Sequence, residues 1–244
     1  MALAAAAGPK ATPTPEWKAV EIARNVMQAM GGQDAWRRAR FLRFDFSVKI
    51  RGQEMIYRSH LWDKQTGRYR LEDKDANGRA GVVLFNVASR QGTAYVAGKK
   101  LEGSAASAAV NAALHAFTND IDWLAMPWRW LEPSVHLTYA GKKDWNGLSC
   151  DVLELTRDET GGPSQRYRAF ISPVSHLMEH WEVLEGANAS TWDWQYTTVS
   201  GIKLGSEHTN QAKQATISMG IVRALDKVDD AFLTDPRRPL AEIR

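Results

Sequence analysis

Residues 119–133, with the sequence NDIDWLAMPWRWLEP, join a long helical pattern to a series of short strand patterns. The segment holds Trp123, Trp128 and Trp130 close together, and Pro127 interrupts it. Proline ends or kinks a helix, because it lacks the backbone N–H and its ring clashes with the preceding turn. We therefore expect the helix to end near Pro127 and the tryptophans to form an aromatic plug that lies across a sheet.

The helix before this plug is predicted from apolar residues spaced three and four apart. Gly103 opens the pattern, and the early part is rich in alanine, which allows close packing on a sheet. The apolar face contains Ala106, Val110, Ala113, Phe117, Ile121 and Leu124. Another helix is predicted near the N-terminus, where Pro15 and Glu16 form a typical helix start and Gly31 a typical helix end.

Strands are predicted on both sides of the plug. The clearest is residues 41–50, where Leu42 and Phe44 alternate with Arg43 and Asp45, so one face should be buried and the other solvated. Turn residues recur at the spacing typical of antiparallel meanders, which gives about ten or eleven strands. So long a sheet twists and curls. The expected fold is mainly β (α+β), a curved antiparallel sheet covered by an N-terminal helix and a central helical insertion.

Composition narrows the class of protein. The chain has 244 residues, 44% of them hydrophobic, and ten tryptophans. Its net charge of +3 is spread over interspersed cations and anions, without the continuous basic stripe of a nucleic-acid binder. One cysteine, Cys150, excludes an intrachain disulfide and fits a buried apolar strand. No apolar run approaches the ~20 residues that a membrane-spanning helix needs.

The two ends of the sequence differ in composition from the middle. The N-terminus, MALAAAAGP, is similar to the end of a secretory signal, and a plain Ala/Pro leader is the alternative. We expect residues 1–14 to be a disordered leader or signal remnant, residues 15–234 to form a single domain, and residues 235–244 to form a C-terminal surface tail.

Several polar patterns suggest chemistry but lack the context that it needs. Residues 73–78, DKDANG, open like a calcium loop, yet Leu84 stands where the bidentate glutamate belongs, so an acidic hairpin turn is expected. His176 and His180 are four apart in a region of strand period, which disfavours a zinc site. Asp120 and Asp122 flank the helix end, where polar residues are common. The sequence predicts no catalytic residue, metal or cofactor.

A set of aromatic residues remains, and it favours either a packed core or an apolar cavity that holds acyl chains. The set consists of Trp62, Tyr69, Trp123, Trp128, Trp130, Trp181, Trp192 and Trp194.

Motifs along most of the chain, from Trp17 to Phe232, resemble bacterial exported proteins with the lipoprotein-carrier (LolA/LolB-like) fold, in particular the branch described as outer-membrane lipoprotein-sorting-like. The matching residues are Trp62-Asp63, Gly67-Arg68-Tyr69, Phe85-Asn86, Asn119-Asp120, Trp123-Leu124, Met126-Pro127-Trp128, residues 131–137, residues 150–153, His176-Leu177-Met178, Trp181, Trp192-Asp193-Trp194 and residues 201–204.

This resemblance implies an open half-barrel whose hydrophobic cavity takes acyl chains, in a soluble, periplasmic, non-enzymatic carrier or sensor. A lipid or an acylated protein is the expected partner. The ligand-binding residues implied are Trp62, Tyr69, Trp123, Met126, Trp128, Trp181 and Trp194. The functional arginine of true carriers has no matching position, which leaves lipoprotein transfer open. Two alternatives remain: a cell-envelope protein-interaction module without a lipid ligand and, more weakly, an envelope hydrolase.

Overall fold

Thirteen antiparallel strands form one continuous sheet in the computed structural model, which describes residues 16–75, 77–157, 165–184 and 189–243. The predicted leader lies outside these residues. The strands, in chain order, are β1 (Phe41–Ile50), β2 (Gln53–Asp63), β3 (Arg68–Lys74), β4 (Ala80–Asn86), β5 (Gly92–Val96), β6 (Lys99–Lys100), β7 (Val135–Trp145), β8 (Leu148–Arg157), β9 (Gln165–Ile171), β10 (Met178–Val183), β11 (Ser190–Val199), β12 (Ile202–Asn210) and β13 (Ala215–Leu225).

The sheet consists of two arcs that meet in its middle. Strands β1 to β6 pair with their neighbours in the chain, and so do β7 to β13, giving the order β6-β5-β4-β3-β2-β1-β13-β12-β11-β10-β9-β8-β7. The pairing of β1 with β13 joins the arcs, with Phe46 opposite Met219 and Val48 opposite Ile217. Strands β6 and β7 are the two edges, so the curled sheet stays open. The predicted half-barrel is confirmed, but the expected count of about ten or eleven strands was too low.

Helices cover the concave face. They are α1 (Glu16–Ala29), α2 (Gly32–Arg38), α3 (Gly103–Ala125), a 3-10 turn at Met126–Arg129 and, outside the sheet, α4 (Ala231–Thr234) and a 3-10 turn at Leu240–Glu242. Helix α1 packs on β7, and α3 spans from β4 and β5 to β12. Helix α3 ends just before Pro127, as predicted. None of the helices in the described ranges is long and apolar enough to span a membrane.

The turn between α1 and α2 fixes both helices on β12. The Met30 carbonyl accepts a hydrogen bond of 2.7 Å from the Lys203 backbone N–H. Gly31 has a φ of 119°, and a Cβ there would lie 2.2 Å from the Gly201 carbonyl oxygen. Only glycine suits both this backbone conformation and so close an approach.

The outer face of β1 is buried at Arg43 and Asp45, contrary to the predicted solvated face, and becomes exposed only toward Lys49. Arg43 and Asp45 form an ion pair of 2.6 Å with side chains only 1% and 5% exposed. Residues after β13 cover this ion pair. Arg43 donates a hydrogen bond to the Leu240 carbonyl, and the Leu240 side chain is fully buried. Of residues 235–243, expected to form a surface tail, Leu240 is buried against the outside of the sheet, whereas Arg237, Pro239, Ala241 and Glu242 are exposed.

Candidate functional site

A cavity of about 820 Å³ lies between α3 and the concave face of the sheet. Its apolar wall includes Phe46 and Val48 from β1, Ile217 from β13 and Leu114 and Phe117 from α3. Ligand sites in proteins are usually concave, largely apolar and about 300–1,000 Å³ in volume. The cavity therefore has the size of a ligand site, with an apolar wall alongside polar lining residues.

Four tryptophans form one side of the cavity. Trp192 and Trp194 point the same way from β11 because side chains two apart in a strand share a face. Trp123 of α3 meets both, edge-on to Trp192 with ring centroids 4.9 Å apart and nearly parallel to Trp194 at 5.8 Å. Trp181 of β10 extends the wall and stacks on Tyr167 of β9 at 4.7 Å. We call Trp123, Tyr167, Trp181, Trp192 and Trp194 the aromatic wall.

The C-terminal part of α3 lies unusually close to β12 beside the cavity. A Cβ built on Gly205 would lie 2.3 Å from the Trp123 carbonyl oxygen. The fully buried His208 lies beside this contact, with its ring 5.3 Å from Trp123 and 3.9 Å from Trp194. Burial lowers the pKa of His208 to about 3, although the Trp123 carbonyl opposes that shift. His208 is therefore neutral in the folded protein near pH 7.

A buried polar network ties the middle of α3 to the first arc. Asp120 is fully buried and accepts two hydrogen bonds from Arg58 of β2, at 2.9 and 3.1 Å. His60 Nε2 lies 3.2 Å from the same carboxylate but outside hydrogen-bond geometry, and His60 Nδ1 is 2.8 Å from the Tyr69 hydroxyl. Burial lowers the pKa of His60 more than Asp120 raises it. His60 is therefore neutral, and it does not line the cavity. The role of the network is to hold α3 against β2.

A charged cluster lies where the cavity meets the end of α3. Asp122 accepts hydrogen bonds from Arg129 at 2.6 Å and from Arg157 of β8 at 2.5 Å. Arg129 also forms two hydrogen bonds to Glu132, at 2.9 and 3.0 Å. Burial alone would lower the pKa of Arg129, but Asp122 and Glu132 raise it. Asp122, Arg129 and Arg157 all line the cavity, and we call these three residues the arginine cluster.

Four of the seven predicted site residues line the cavity. They are Trp123, Met126, Trp181 and Trp194. The other three lie outside its lining. Trp62 packs edge-on against Phe117, and Tyr69 is fully enclosed beneath the same ring. Trp128 stacks on Trp36 at 5.0 Å and donates its indole N–H to the Lys203 carbonyl, so it fastens the plug to α2 and β12.

The arginine cluster was absent from the predicted site. Arg129 belongs to the plug segment, but nothing in the local pattern distinguishes it from a surface arginine. Arg157 ends a strand 28 residues further on, and only the folded sheet brings it to Asp122. Trp192 stood in the predicted aromatic set but not among the ligand-binding residues.

The other polar patterns have structural roles. Asp75 accepts backbone hydrogen bonds from Asn77 and Arg79 at 2.9 Å, as the acidic hairpin turn requires. His176 lies in a turn, whereas His180 stacks on Trp145 at 3.6 Å outside the cavity. Within the described ranges, no three His, Cys, Asp or Glu side chains come together as metal ligands would.

A groove of about 710 Å³ lies where β2 and β3 separate. The two strands pair only from Ser59–Glu72 to Trp62–Tyr69, so the first half of β2 has no partner strand on that side among the described residues. Met55 and Tyr57 of this half are 56% and 51% exposed. The groove therefore combines an unpaired strand edge with apolar side chains.

Solved structures of other proteins are similar to this fold over most of the chain. No protein-family model and no curated protein sequence matches the chain. Among solved structures, a DUF1329 family protein from Desulfovibrio piger matches with a TM-score of 0.52 and 13% identity, over 91% of this chain and 98% of the other. A LolA superfamily protein from Nitrosomonas europaea matches with a TM-score of 0.51 and 13% identity, over 89% and 98%.

A putative outer membrane lipoprotein-sorting protein domain from Vibrio parahaemolyticus is more distant, with a TM-score of 0.49 and 9% identity over 90% of this chain and 97% of the other. At these identities the likeness concerns the fold alone. The open antiparallel sheet, the helices on its concave face and the near-complete coverage of both chains show that the protein has the LolA-like fold.

Proposed function

We propose that this protein is a periplasmic carrier or sensor that binds one lipid or other long-chain amphiphile in the cavity beneath α3, without catalysing a reaction. The observation that carries the proposal is the cavity itself, about 820 Å³ in volume and lined largely by aromatic and aliphatic side chains. A filled core would have no room for a ligand, whereas an apolar cavity of this size gains free energy when hydrocarbon enters it.

The geometry around the cavity supports binding rather than catalysis. Asp120 is enclosed by Arg58 and His60, and Asp122 is held by two arginines, so neither carboxylate is free to exchange a proton with a substrate. The likeness to a LolA superfamily protein supports a carrier through the fold alone.

The test is whether the folded protein takes up a hydrocarbon chain inside the sheet. We expect native mass spectrometry of gently purified protein to show a bound amphiphile that organic extraction removes. We expect the stripped protein to bind the neutral dye N-phenyl-1-naphthylamine with a rise in fluorescence. Protein that carries nothing and takes up no dye would contradict the proposal.

A pair of variants tests whether the dye binds inside the cavity. Val48 lines the cavity, and its neighbour Ser47 faces the opposite side of the same strand. A tryptophan at position 48 takes up part of the cavity, so Val48→Trp should weaken dye binding by about tenfold or more, the effect of losing roughly 1.4 kcal/mol. Ser47→Trp adds the same side chain outside and should leave binding unchanged. Equal effects from both variants would place the dye elsewhere.

A second candidate is an envelope protein-interaction module, and the groove between β2 and β3 favours it. An extended peptide can pair with an exposed strand edge, with its side chains in flanking pockets. Met55 and Tyr57 would supply the apolar contacts. Met55→Asp should then abolish capture of a stoichiometric protein from an envelope extract and leave dye binding in the cavity intact. Dye binding without any captured protein would reject this candidate.

A further inference from the structure

The cavity carries an excess of positive charge at its wall. Of its described lining residues, Arg90, Arg129, Arg157 and Lys213 are cations, and Asp122 is the one acid. Arg90 and Lys213 are exposed, so they lie where the cavity opens to solvent. Arg157 and Arg129 lie deep, with side chains 8% and 14% exposed. A cavity meant only for hydrocarbon has no need of four cations in its wall.

The deep arginines are arranged as an anion site that Asp122 now occupies. The two oxygens of its carboxylate each accept from a different guanidinium, Oδ1 from Arg129 and Oδ2 from Arg157. A ligand carboxylate or phosphate presents the same paired oxygens. Arg129 keeps Glu132 as a further partner. Among the described residues, the hydrogen-bond partners of the Arg157 guanidinium are Asp122 and the Met126 sulfur, a weak acceptor at 3.5 Å.

The apolar part of the cavity extends away from this site. Arg157 belongs to β8, six strands from β1 in the sheet order. At about 4.8 Å per strand the two lie roughly 29 Å apart along the curved sheet, and less across its concave side. The aromatic wall lies between them, and Phe46 and Val48 line the far end. The cavity thus has a buried charged end, an aromatic middle and an apolar far end, where the exposed Lys213 also lines it.

From this arrangement we infer that the ligand is an anionic amphiphile whose carboxylate or phosphate headgroup binds Arg129 and Arg157, while its hydrocarbon chain runs along the aromatic wall toward Phe46 and Val48. The inference rests on the proposed function and adds the class of headgroup. The headgroup takes over hydrogen bonds that Asp122 now accepts, so Asp122 competes with the ligand. Charge-assisted hydrogen bonds in a poorly solvated site favour the anion over a neutral headgroup.

The experiment compares three probes with the same fourteen-carbon chain, a length that suits a cavity of this class. Tetradecanoate, tetradecanol and the tetradecyltrimethylammonium cation each compete with N-phenyl-1-naphthylamine at pH 8, where a carboxylate is ionised. Tetradecanoate should displace the neutral dye at a concentration about tenfold or more below that of tetradecanol, equivalent to roughly 1.4 kcal/mol. The cation should be the weakest. Higher salt should narrow the difference.

Three variants test the arginine cluster. Arg157→Gln should remove most of the preference for tetradecanoate over tetradecanol, and Arg157→Lys should restore part of that preference. Asp122→Asn removes the competing charge, so it should bind tetradecanoate severalfold more tightly than the native protein. A purely structural role for Asp122 predicts the opposite. Arg223→Gln removes one positive charge from an exposed arginine outside the cavity and serves as the control.

The outcomes separate this inference from the proposed function. Equal displacement by tetradecanoate and tetradecanol, or displacement mainly by the cation, would overturn the anionic headgroup and leave hydrocarbon binding in place. Weaker tetradecanoate binding by Asp122→Asn would also overturn it. If no probe binds and the purified protein carries no amphiphile, the proposed function itself fails.

Discussion

Gly205 is the residue on which the fit of α3 depends most directly. Its missing side chain lets the Trp123 carbonyl approach β12, since a Cβ there would lie 2.3 Å from that oxygen. We expect Gly205→Ala to push the helix end away and lower the free energy of unfolding by about 1–3 kcal/mol, as overpacking does. Urea unfolding followed by tryptophan fluorescence measures this loss.

A matched control for Gly205 lies in the neighbouring strand. A Cβ on Gly220 of β13 would meet nothing closer than 3.5 Å, an ordinary contact, so Gly220→Ala should change the unfolding free energy by less than about 0.5 kcal/mol. If the two variants lost equal stability, the close contact of Trp123 with β12 would not be the cause.

His208 makes the protein sensitive to mild acid. Its pKa is about 3 in the folded state, against an ordinary value of 6.5, so the unfolded chain binds a proton first as the pH falls. Stability contributed by neutral His208 is full above pH 6.5 and declines toward pH 3. The slope reaches at most about 1.4 kcal/mol per pH unit for one group.

Burial also lowers the pKa of His60 and His180, so these histidines contribute to the acid sensitivity of the native protein. Comparing the native protein with His208→Gln isolates the contribution of His208. Unfolding free energies between pH 7.5 and 4.5, a span inside the titration range of histidine, should fall more steeply for the native protein than for the variant. Parallel curves would mean that His208 keeps an ordinary pKa.

Helix α3 is the element that makes the cavity, and the Arg58–Asp120 pair holds it. Asp120→Asn leaves Arg58 without its charged partner, and Arg58 is 24% exposed, which lessens the cost. We expect a loss of about 1–3 kcal/mol, below that of a fully buried pair. Hydrogen exchange should speed up in peptides from α3 while β8 and β9 stay protected.

The exposed pair of Asp34 and Arg37 in α2 gives the control for this element. Its side chains are 78% and 72% exposed, so Asp34→Asn should change the stability little and leave exchange in α3 unchanged. Unchanged exchange in the Asp120→Asn variant would show that packing alone holds the helix.

Local patterns predicted the helices and strands well, because the spacing of apolar residues and the residues that end an element depend only on neighbours in the chain. The strand at residues 41–50 and the end of α3 just before Pro127 are examples. Where α3 crosses the sheet depends on tertiary packing, so Trp62, predicted among the ligand-binding residues, packs against Phe117 rather than lining the cavity. Arg157 reaches Asp122 across 35 residues, and no local pattern records such a pair.

In the whole molecule, two features join the arcs: the pairing of β1 with β13, and the segment after β13, which we call the strap. The β1–β13 pairing joins strands from opposite ends of the chain. The segment after β13 then returns across the outside of the first arc, where Arg70 donates to the carbonyls of Phe232, Asp235 and Pro236. Leu240 closes this contact on Phe41 and Leu61. The C-terminal segment therefore buries Arg43 and Asp45 on the outer face of β1, which the alternating sequence pattern had predicted to be exposed to solvent.

This strap should make the two arcs unfold together. Leu240→Ala removes a fully buried side chain and should lower the unfolding free energy by about 2–4 kcal/mol, whereas Arg237→Ala, at an 85% exposed side chain in the same segment, should cost little. Leu240 lies on the first arc, but the tryptophans of the aromatic wall report on the second. Tryptophan fluorescence and far-ultraviolet circular dichroism should therefore show one coincident, shifted transition. A shift in the circular dichroism transition alone would mean that the arcs unfold separately, and that the cavity between them can lose one wall while keeping the other.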